Sequence, residues 1–545
     1  MNFSALKETR PVTLFTRFGL FAFVILGTIV TAGFLGEARF VKWLFLAFLF
    51  LTAVGVWNLI QTKHSLMRNY PVIAYVRWIS EELRPFLRQY IVESNIEGRP
   101  YSREHRSLIY QRAKATMDVH PFGTELDVYE EDYEWVAHSI AARKVEPKGF
   151  RVDVGGPQCT KPYSVSVLNI SAMSFGALGA NAIEALNLGA KRGGFYHDTG
   201  EGSISPYHRK NGGDLVWELG SGYFGCRDKD GFFDPARFKE QATSDQVKMI
   251  EIKLSQGAKP GHGGLLPADK ITPEISETRG VPMGKDCLSP PGHSAFSTPI
   301  EMMEFIAQLR ELSGGKPVGF KLCIGNPHEL LAICKAMLET EIYTDFVVVD
   351  GAEGGTGAAP VEFSDHIGMP LREGLLYAQN ALVGSGLRDK VRLGASGKVT
   401  TAFYLASNMA IGADWCNAAR AFMFSLGCVM SMRCHTGECP TGVTTNDPVR
   451  QRGLVVEDKA KRVHSFHHET LHALAEVIGA AGVSHPGDLT PAHIYRRIDE
   501  HHARPLDEIY EFVEPGVLLE KDGKDSLLLY RSWKRAQANS FAPVV

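Results

Sequence analysis

The stretch DFVVVDGAEGGTGAAP, residues 345–360, runs from a short apolar and β-branched segment directly into a loop of small residues. A short apolar run that ends at a turn is typical of a strand buried on both faces of a parallel sheet. A glycine-rich loop that follows such a strand lies at the carboxyl end of the sheet, where ligands bind in α/β proteins. This stretch therefore predicts a fold class and also the edge of the sheet that carries the site.

The same succession of an apolar run and a turn recurs after residue 150. Between several runs lie segments such as IEMMEFIAQLRELSGG (300–315), with apolar residues at helical spacing and glycine near the end. Strands that alternate with helices pair in parallel, so we predict an α/β fold, a (β/α)8 TIM barrel, with an open doubly wound sheet as the alternative. The other predicted strands are VSVLNI (165–170), MIEIKL (249–254), PVGFKL (317–322), VRLGAS (391–396) and ADWCNAA (413–419).

Two apolar segments near the N-terminus, residues 18–35 and 43–60, contain no charged residue. Each is close to the ~20 residues that span a hydrocarbon core, so we predict a transmembrane helical hairpin. A cleaved signal peptide is the alternative for the first segment, and a pair of core helices is the alternative for both. Basic residues outside the hairpin favour an inner (cytoplasmic) membrane protein with two passes and its catalytic domain facing the cytoplasm. These residues are Lys7, Arg10, Arg17, Lys63, Arg68 and Arg77.

The predicted organisation has four parts. Two transmembrane helices occupy 1–65, a helical connector or cap 66–149, the barrel with its cysteine segment 150–484, and a C-terminal helical extension 485–545. The net charge is −3 and no basic run is present, so no nucleic-acid partner is expected. The cysteines outside the cysteine segment are scattered singly, which suits reduced thiols better than a disulfide framework.

The segment CVMSMRCHTGECPTG, residues 428–442, brings together Cys428, Cys434 and Cys439. Clustered thiolates with loop residues between them indicate a metal centre. Zinc sites usually pair cysteines two residues apart and add a fourth ligand, which this spacing does not provide. An iron–sulfur cluster held by three thiolates is therefore the sharper hypothesis, and buried inert cysteines are the alternative.

The loops that follow several predicted strands suggest a nucleotide site. ASGKVTT (395–401) and NAARAF (417–422) lie where barrels commonly bind a phosphate on backbone N–H groups. With the glycines of the loop after residue 350, they fit a mononucleotide with one phosphate, and FMN fits better than NAD because no GxGxxG motif opens the domain. Tight turns without a ligand are the alternative.

Charged residues near these loops supply candidates for the chemistry. SAMSFGA (171–177) can lay main-chain amides against a flavin edge, and Glu201 is the one acid in a loop of small residues. Lys253 or Lys321, each in a predicted strand, can place positive charge beside the flavin N1–O2 locus. The alternatives are a solvated surface carboxylate for Glu201 and rim ion pairs for the lysines.

Taken together, these motifs resemble the central and FMN-binding domains of glutamate synthase. The residues that carry the resemblance occur in one order over roughly residues 150–480: SAMSFGA, TGEGS, IEIKLSQGAKPGHGGLLP, LSPPGH, DGAEGGTGAAP and CVMSMRCHTGECPTGV. The resemblance implies an FMN-bearing barrel with a [3Fe–4S] cluster bound by Cys428, Cys434 and Cys439.

The resemblance also implies roles for the matching residues. Gln256, Lys259 and Arg279 would face the carboxylates of 2-oxoglutarate, and Glu201 and Lys253 would be catalytic, with Glu201 handling a proton near the imine nitrogen. The residues that would surround FMN are Ala172, Met173, Ser174, Gly176, Lys253, Gly354, Gly355, Thr356, Gly357, Ser396, Gly397, Lys398, Ala419 and Arg420.

The implied activity is reduction of 2-iminoglutarate, formed from 2-oxoglutarate and ammonia or an amine, to L-glutamate. No segment resembles the family's glutaminase domain or an NAD(P)H-binding module, so we expect a separate nitrogen source and a ferredoxin-like or membrane-borne electron donor. The sequence departs from the family at His262, where an acid is common, and at Ser203, where glycine is usual. The alternative function is a membrane-associated flavin and iron–sulfur electron-transfer subunit without amination activity.

Overall fold

The computed structural model describes residues 11–520 and 528–544, so Lys7 and Arg10 of the predicted orientation signal lie outside the described residues. The chain forms two compact units, Met1–Arg103 and Glu104–Val545. The second unit contains eight parallel strands that form a closed barrel. In chain order they are β1 Leu168–Ile170, β2 His197–Asp198, β3 Leu215–Leu219, β4 Val247–Lys253, β5 Val318–Leu322, β6 Phe346–Asp350, β7 Arg392–Ser396 and β8 Trp415–Ala418.

Each barrel strand pairs with the next, and β8 pairs with β1 to close the barrel. The predicted α/β barrel is therefore confirmed, and the open sheet is excluded. Large apolar side chains such as Val216, Met249 and Val348 fill one end of the interior with Trp415. Because side chains alternate along a strand, Glu218 and Glu251, two residues further along β3 and β4, also point inward.

Helices connect the strands and surround the barrel. The helix Pro299–Leu312 begins with a capping box between Thr298 and Glu301. The α-helices of this region are Arg103–Ala113, Ala180–Gly193, Pro206–Arg209, Pro235–Ala242, Pro273–Arg279, Pro299–Leu312, Pro327–Thr340, Val361–His366, Leu371–Gly384, Ala402–Ile411, Arg420–Ser425, Pro448–Gln451, Val456–Ala480, Leu506–Ile509 and Leu528–Arg535. Single turns of 3-10 helix occur at Pro147–Gly149, Ala268–Lys270, Pro486–Asp488, Pro491–His493 and Val517–Leu519.

Two predicted helical regions contain strands instead. Glu134–Val136, in the predicted connector, pairs with Ile494–Arg497, which in turn pairs with Ala503–Pro505. The predicted C-terminal helical extension (485–545) is therefore wrong over these strands, because pairing with a distant segment outweighs local propensity. The remaining strands form two small ribbons, Arg151–Val154 with Tyr163–Ser166 and Leu265–Leu266 with Cys287–Leu288.

The first unit is helical. Its helices are Pro11–Gly33, Arg39–Ile60, Ser65–Asn69 and Ala74–Leu87, followed by a π-helical turn at Arg88–Val92. The first two pack on each other through Phe23 and Phe48, whose ring centroids are 6.1 Å apart. By length and composition one described helix, Arg39–Ile60, qualifies to cross a membrane, with a mean hydropathy of 2.1 and 11% of its apolar window buried.

Candidate active site at the carboxyl ends of the barrel strands

A largely buried ion pair lies where β2 and β4 end. Lys253, the last residue of β4, places Nζ 3.0 Å from Oε1 of Glu201 in the loop after β2. The surrounding loops reach this carboxylate only because they carry glycine: a Cβ at Gly264 would lie 2.5 Å from Glu201 Oε1, and one at Gly220 2.7 Å from Oε2. The backbone therefore encloses Glu201 from two sides.

Two more cations lie close to Glu201. Arg279 ends the helix Pro273–Arg279 and donates from Nη2 to the carbonyl of Phe175 at 2.9 Å, while its buried Nε finds no described partner. Burial by itself would raise the pKa of Glu201, but Lys253, Arg279 and Lys259 outweigh burial and lower it. Burial lowers the pKa of Lys259, and Lys253 adds to the effect. We call Glu201, Lys253, Lys259 and Arg279 the mouth cluster; it contains three cations and one carboxylate.

His293 fixes the end of β4. Its Nε2 donates to the carbonyl of Lys253 at 2.9 Å, and its Nδ1 lies 3.0 Å from the hydroxyl of Tyr223. The pKa of His293 is lowered, mainly by burial. A neutral ring that donates to a carbonyl through Nε2 must accept through Nδ1, so Tyr223 donates to it. The ring thereby orients the strand end that carries Lys253.

A second charge cluster lies deeper in the barrel. Lys321 on β5 pairs with Glu218 on β3, and its Nζ lies 3.4 Å from Oε1 of Glu251 on β4. Carboxylate oxygens of Asp198, Glu218 and Glu251 all lie within 4.8 Å of one another. These four residues form the interior cluster. The structure thus places the Lys321 ammonium against barrel acids, and its expected role beside a cofactor remains a prediction.

Protons and one lysine balance the interior cluster. Burial raises the pKa of Asp198 to about 7, with a further contribution from Glu218. Burial also raises the pKa of Glu251 well above its ordinary value, although Lys321 opposes the shift. Burial by itself would lower the pKa of Lys321, but Glu218, Glu251 and Asp198 outweigh it and raise the pKa. The cluster therefore keeps its lysine charged and holds protons on acids near neutral pH.

The glycine-rich loop after β6 lies beside the cysteine segment. A Cβ added at Gly355 would lie 3.5 Å from Nε of Arg420, and one at Gly357 3.4 Å from Cβ of Cys434. Arg420 in turn places Nη1 3.7 Å from Sγ of Cys434. Gly354 lies against Gly351 of the same loop. The loop after β6, the residue Arg420 after β8 and the cysteine segment, three separate parts of the predicted site, therefore lie side by side.

Polar groups also collect at the end of β7. Ser396 places its hydroxyl 3.3 Å from that of Ser171, which begins the loop after β1. Gly397 and Lys398 both have positive φ angles, 149° and 46°. The hydroxyl of Thr400 is buried and has no described partner. Such a turn exposes backbone N–H groups on one side, as phosphate sites at this edge of a barrel require.

The loop after β1 joins these parts. A Cβ added at Gly200 would lie 2.6 Å from the amide nitrogen of Ser174 and 3.0 Å from the carbonyl carbon of Met173. Gly176 has a φ of 102° and lies against the Arg279 side chain. The predicted flavin-edge residues Ala172, Met173, Ser174 and Gly176 therefore border the mouth cluster. Gln256 and Thr356 are half-buried in the loops after β4 and β6, where their predicted roles remain predictions.

The three sulfurs of Cys428, Cys434 and Cys439 are spread more widely than ligands of one small ion. Among the described residues, only the three interior acids place ligand atoms within 4.8 Å of one another. Met430 and Met432, between the first two cysteines, have positive φ angles of 53° and 60°. The Met430 N–H points to Sγ of Cys428 at 3.5 Å.

Positive groups and hydroxyls accompany the thiols. Lys270 donates to the carbonyl of Cys434 at 2.7 Å. Burial by itself would raise the pKa of Cys439, but hydrogen bonds with Thr441 and Thr444 lower it to about 7. Burial raises the pKa of Cys428 to about 11. The segment therefore contains one thiol that ionises near neutral pH and two nearby cations, Lys270 and Arg420.

Several of these residues did not enter the sequence predictions. His293 is inside the LSPPGH motif, whose role in holding β4 only the fold reveals. Asp198, Glu218 and Glu251 had a detectable signature, since each is an acid inside or at the end of an apolar strand. Lys270 lies in an ordinary polar loop that no pattern singles out, and Thr400 lies inside the predicted phosphate segment ASGKVTT without having been named as a site residue.

Comparison with known proteins identifies the family. Residues 126–484 match the model described as the conserved region in glutamate synthase. A Bacillus subtilis (strain 168) protein named glutamate synthase large subunit-like protein YerD is 35% identical over 494 residues, covering 83% of this chain and 94% of that protein. The chain belongs to the glutamate synthase family. This membership confirms the predicted family and an oxidoreductase of that kind. The family match begins at residue 126, before the predicted start of the barrel region at residue 150.

Other glutamate synthase relatives are shorter matches. An archaeal glutamate synthase [NADPH] of Methanocaldococcus jannaschii is 32% identical over 354 residues, which is 65% of each chain. An archaeal-type glutamate synthase [NADPH] of Thermotoga neapolitana is 31% identical over 428 residues, covering 76% of this chain and 80% of that protein. The glutamate synthase match includes the barrel, the mouth cluster and the three cysteines.

Proposed function

We propose that this glutamate synthase family member is an FMN and [3Fe–4S] oxidoreductase that forms L-glutamate from 2-oxoglutarate and ammonia or an amine. One observation carries the proposal. The glycine-rich loop after β6 lies beside Arg420 and Cys434, while the same edge of the barrel holds three largely buried cations around Glu201. The residues proposed to hold a nucleotide, sulfur ligands and an anion thus lie at one edge of the barrel, as the proposed reaction requires.

The residues at the strand ends suit FMN. The buried Thr400 hydroxyl and the positive φ angles of Gly397 and Lys398 provide donors for one phosphate at the end of β7. Gly354, Gly355 and Gly357 leave room for a flat ring system, since none of them projects a side chain. Ala419 and Arg420 come directly after β8, and Arg420 lies beside Gly355.

The cysteine segment suits a cluster better than a single zinc ion. Tetrahedral ligands of one zinc, with Zn–S bonds of ~2.3 Å, hold sulfurs ~3.8 Å apart, whereas these three sulfurs do not all lie within 4.8 Å of one another. Met430 and Met432 have positive φ angles, and the Met430 N–H points to Sγ of Cys428, as backbone N–H groups do at many iron–sulfur sites. Arg420 and Lys270 supply positive charge for an anionic centre.

When bound, FMN would supply hydride transfer and the cluster would supply single electrons. The chain's own residues bind and orient the substrate. Arg279 and Lys259 would pair with the two carboxylates of 2-oxoglutarate, and Gln256 would add an amide donor. Glu201, held as a carboxylate by Lys253, would exchange a proton with the substrate nitrogen. His293 would hold the Lys253 backbone in place for this step.

Anaerobic purification tests the cofactors. We expect flavin absorbance, about one FMN and three irons per chain by chemical analysis, and a paramagnetic signal from the oxidised cluster. Cys434→Ser should abolish the cluster signal but leave FMN bound. Cys159→Ser is the matched control, because Cys159 donates to the Gly315 carbonyl at 3.3 Å and a serine hydroxyl can replace that contact. A protein that binds neither group after reconstitution contradicts the proposal.

Turnover tests the reaction. Reduced enzyme with 2-oxoglutarate and ¹⁵N-ammonia should form ¹⁵N-labelled L-glutamate. Product formed only from another oxo acid or from an amine would change the substrate but keep the reaction class. Oxidation of a reduced donor without any amino acid product would favour the electron-transfer alternative, which the excess positive charge of the mouth cluster argues against.

The proposed location is the cytoplasmic membrane, with both apolar helices inserted as a hairpin. Support comes from the hydropathy of Arg39–Ile60 and its contact with the equally apolar Pro11–Gly33. Fractionation of cells followed by alkaline carbonate extraction tests the proposal. Retention in the membrane pellet is expected, and release into the supernatant contradicts it. A membrane-borne or ferredoxin-like donor would then reach the cysteine segment from the cytoplasm.

A further inference from the structure

The helix Ala74–Leu87 and the π-helical turn that follows it have one strongly apolar face. Its residues recur at spacings of three and four, so they line one side of the helix. In the part of the chain that the structure describes, nothing covers this face: Val76 is 59% exposed, Ile79 57%, Leu83 50% and Tyr90 61%. Phe86, 45% exposed, completes the stripe.

The opposite side of the same helix is polar. Arg77 and Glu81 form an exposed pair at 3.9 Å, and Arg84 and Arg88 continue that side. Trp78 lies at the border between the two sides, packed edge-on against His64 at 6.1 Å. A helix with an exposed apolar stripe, arginines on its polar side and aromatic residues at the border is typical of a helix that lies in a membrane surface.

The position of this helix along the chain also favours a membrane surface as what covers its apolar face. The helix begins fourteen residues after Ile60, where the apolar helix Arg39–Ile60 ends. The connecting residues include Lys63 and Arg68. A segment so close to the end of a membrane-spanning helix stays near the headgroup layer, and its basic residues complement anionic lipid.

We propose that the helix Ala74–Leu87, with its π-helical turn, lies flat in the surface of an anionic lipid bilayer. Its apolar stripe enters the boundary between headgroups and acyl chains, and Arg77, Arg84 and Arg88 contact headgroup phosphates. The inference rests on the proposed membrane location of the hairpin. The helix would hold the chain that leads into the second unit at the membrane surface.

Photo-crosslinking in the full-length protein identifies what covers the stripe. p-Benzoyl-L-phenylalanine replaces Leu83 on the apolar face, or Glu81 on the polar face as the matched exposed control. The purified proteins are reconstituted into phosphatidylcholine vesicles that contain one-third phosphatidylglycerol, and also into native membrane fragments. Mass spectrometry then reads the adducts. We expect lipid adducts at position 83 at least tenfold above those at position 81.

The outcomes separate the hypotheses. Equal lipid adducts at both positions, or none at position 83, overturn the inference. An adduct of position 83 to a protein in native membranes also overturns it and assigns the face to a protein partner. Release of the protein by carbonate together with lipid adducts at position 83 would refute the hairpin but support the surface helix.

A second experiment tests whether the arginines of the polar side contribute to binding of anionic lipid. Replacing Arg77, Arg84 and Arg88 by glutamine should lower the adduct yield in phosphatidylglycerol vesicles about fivefold, to the level in pure phosphatidylcholine. An unchanged yield overturns the assignment of these arginines to anionic headgroups.

Discussion

The mouth cluster and the interior cluster are both buried groups of charge at the same end of one barrel, but their imbalances are opposite. The interior cluster has three acids and one lysine. The mouth cluster has three cations and one acid. Excess acids can reduce their negative charge by taking up protons, and the raised pKa values of Asp198 and Glu251 indicate that they do so. Lysine and arginine in excess lose protons far less readily, because their ordinary pKa values lie well above neutrality.

We expect this difference to separate a structural cluster from a binding site. In the interior cluster, protons and Lys321 balance the charge without an added ion, although Oε1 of Glu251 has no described hydrogen-bond partner. The mouth cluster keeps a positive excess and a buried, unpartnered Nε on Arg279. An anionic ligand with two carboxylates would complete it. Variants that remove charge from each cluster should therefore affect different properties, activity for one and stability for the other.

The largest effect is expected at the mouth. In the double variant Lys259→Ala/Arg279→Ala, kcat/KM for 2-oxoglutarate should fall about a thousandfold, because each charge-assisted hydrogen bond contributes ~2 kcal/mol. Initial rates with a reduced artificial donor and ammonia measure this. Arg192→Ala is the control, since Arg192 pairs with Glu457 on the surface. A loss below tenfold would mean that the mouth cluster does not bind the oxo acid.

The interior cluster should respond in stability. Lys321→Met leaves buried acids without their cation, so the free energy of unfolding should fall by ~3 kcal/mol. Thermal and urea unfolding of the purified protein measure the change. Adding Glu218→Gln to Lys321→Met removes the partner charge and should restore part of the loss. Lys259→Met, in the mouth cluster, should change stability by less than ~1 kcal/mol. Equal losses in the two lysine variants would contradict the distinction between the clusters.

Glu201 connects the mouth cluster to chemistry. Glu201→Gln keeps the shape of the side chain but removes its capacity to exchange a proton, so kcat should fall about a hundredfold with little change in KM. Steady-state kinetics over a range of 2-oxoglutarate concentrations separate the two parameters. Glu184→Gln is the control, because Glu184 pairs with Lys210 away from the mouth. A rise in KM with kcat unchanged would indicate a binding role instead.

The pH dependence of stability sharpens the comparison further. The pKa of Asp198 is raised to about 7 in the folded protein, whereas an unfolded aspartate titrates near ~3.9. Between these values the folded protein holds a proton that the unfolded chain has released. This contribution to stability is therefore present at low pH and is lost as the pH rises toward 7, by at most ~1.4 kcal/mol per pH unit.

Asp198→Asn isolates that contribution. The variant should show a smaller loss of unfolding free energy between pH 5 and pH 7 than the unmodified protein, on the order of 1 kcal/mol per unit. Urea unfolding at both pH values measures it. An identical slope in the two proteins would show that Asp198 titrates normally in the folded state.

The sequence predicted the strands that are long and apolar, and missed those that are not. β6 and β7 were found within one residue, but β2 has only two residues and β3 carries Glu218 in an otherwise apolar run. An inward-facing acid is acceptable in β3 because Lys321, about a hundred residues away, balances it. Such a pairing is not visible in a local pattern.

The candidate site divides in a similar way. Motifs in the sequence named the residues of the mouth cluster and the cysteine segment. The excess of cations over acids at the mouth depends on distances between four loops, and only the fold provides them. Lys321 illustrates the limit, since its position in a strand suggested a cofactor role and the structure surrounds it with four acids, Glu218, Glu251, Asp198 and Asp350.

The smallest effect concerns the segment that joins the two clusters, from Asp198 to Ser203. Ser203 has a φ of 71°, and its buried hydroxyl finds no described partner. A glycine would adopt this backbone conformation without strain. Ser203→Gly should raise the free energy of unfolding by ~1 kcal/mol. Ser313→Gly is the control, because Ser313 is also buried but has a negative φ and a bonded hydroxyl, so its loss should destabilise. A destabilised Ser203→Gly would mean that the hydroxyl serves the mouth cluster, and the glutamate assay would then show a matching loss of activity.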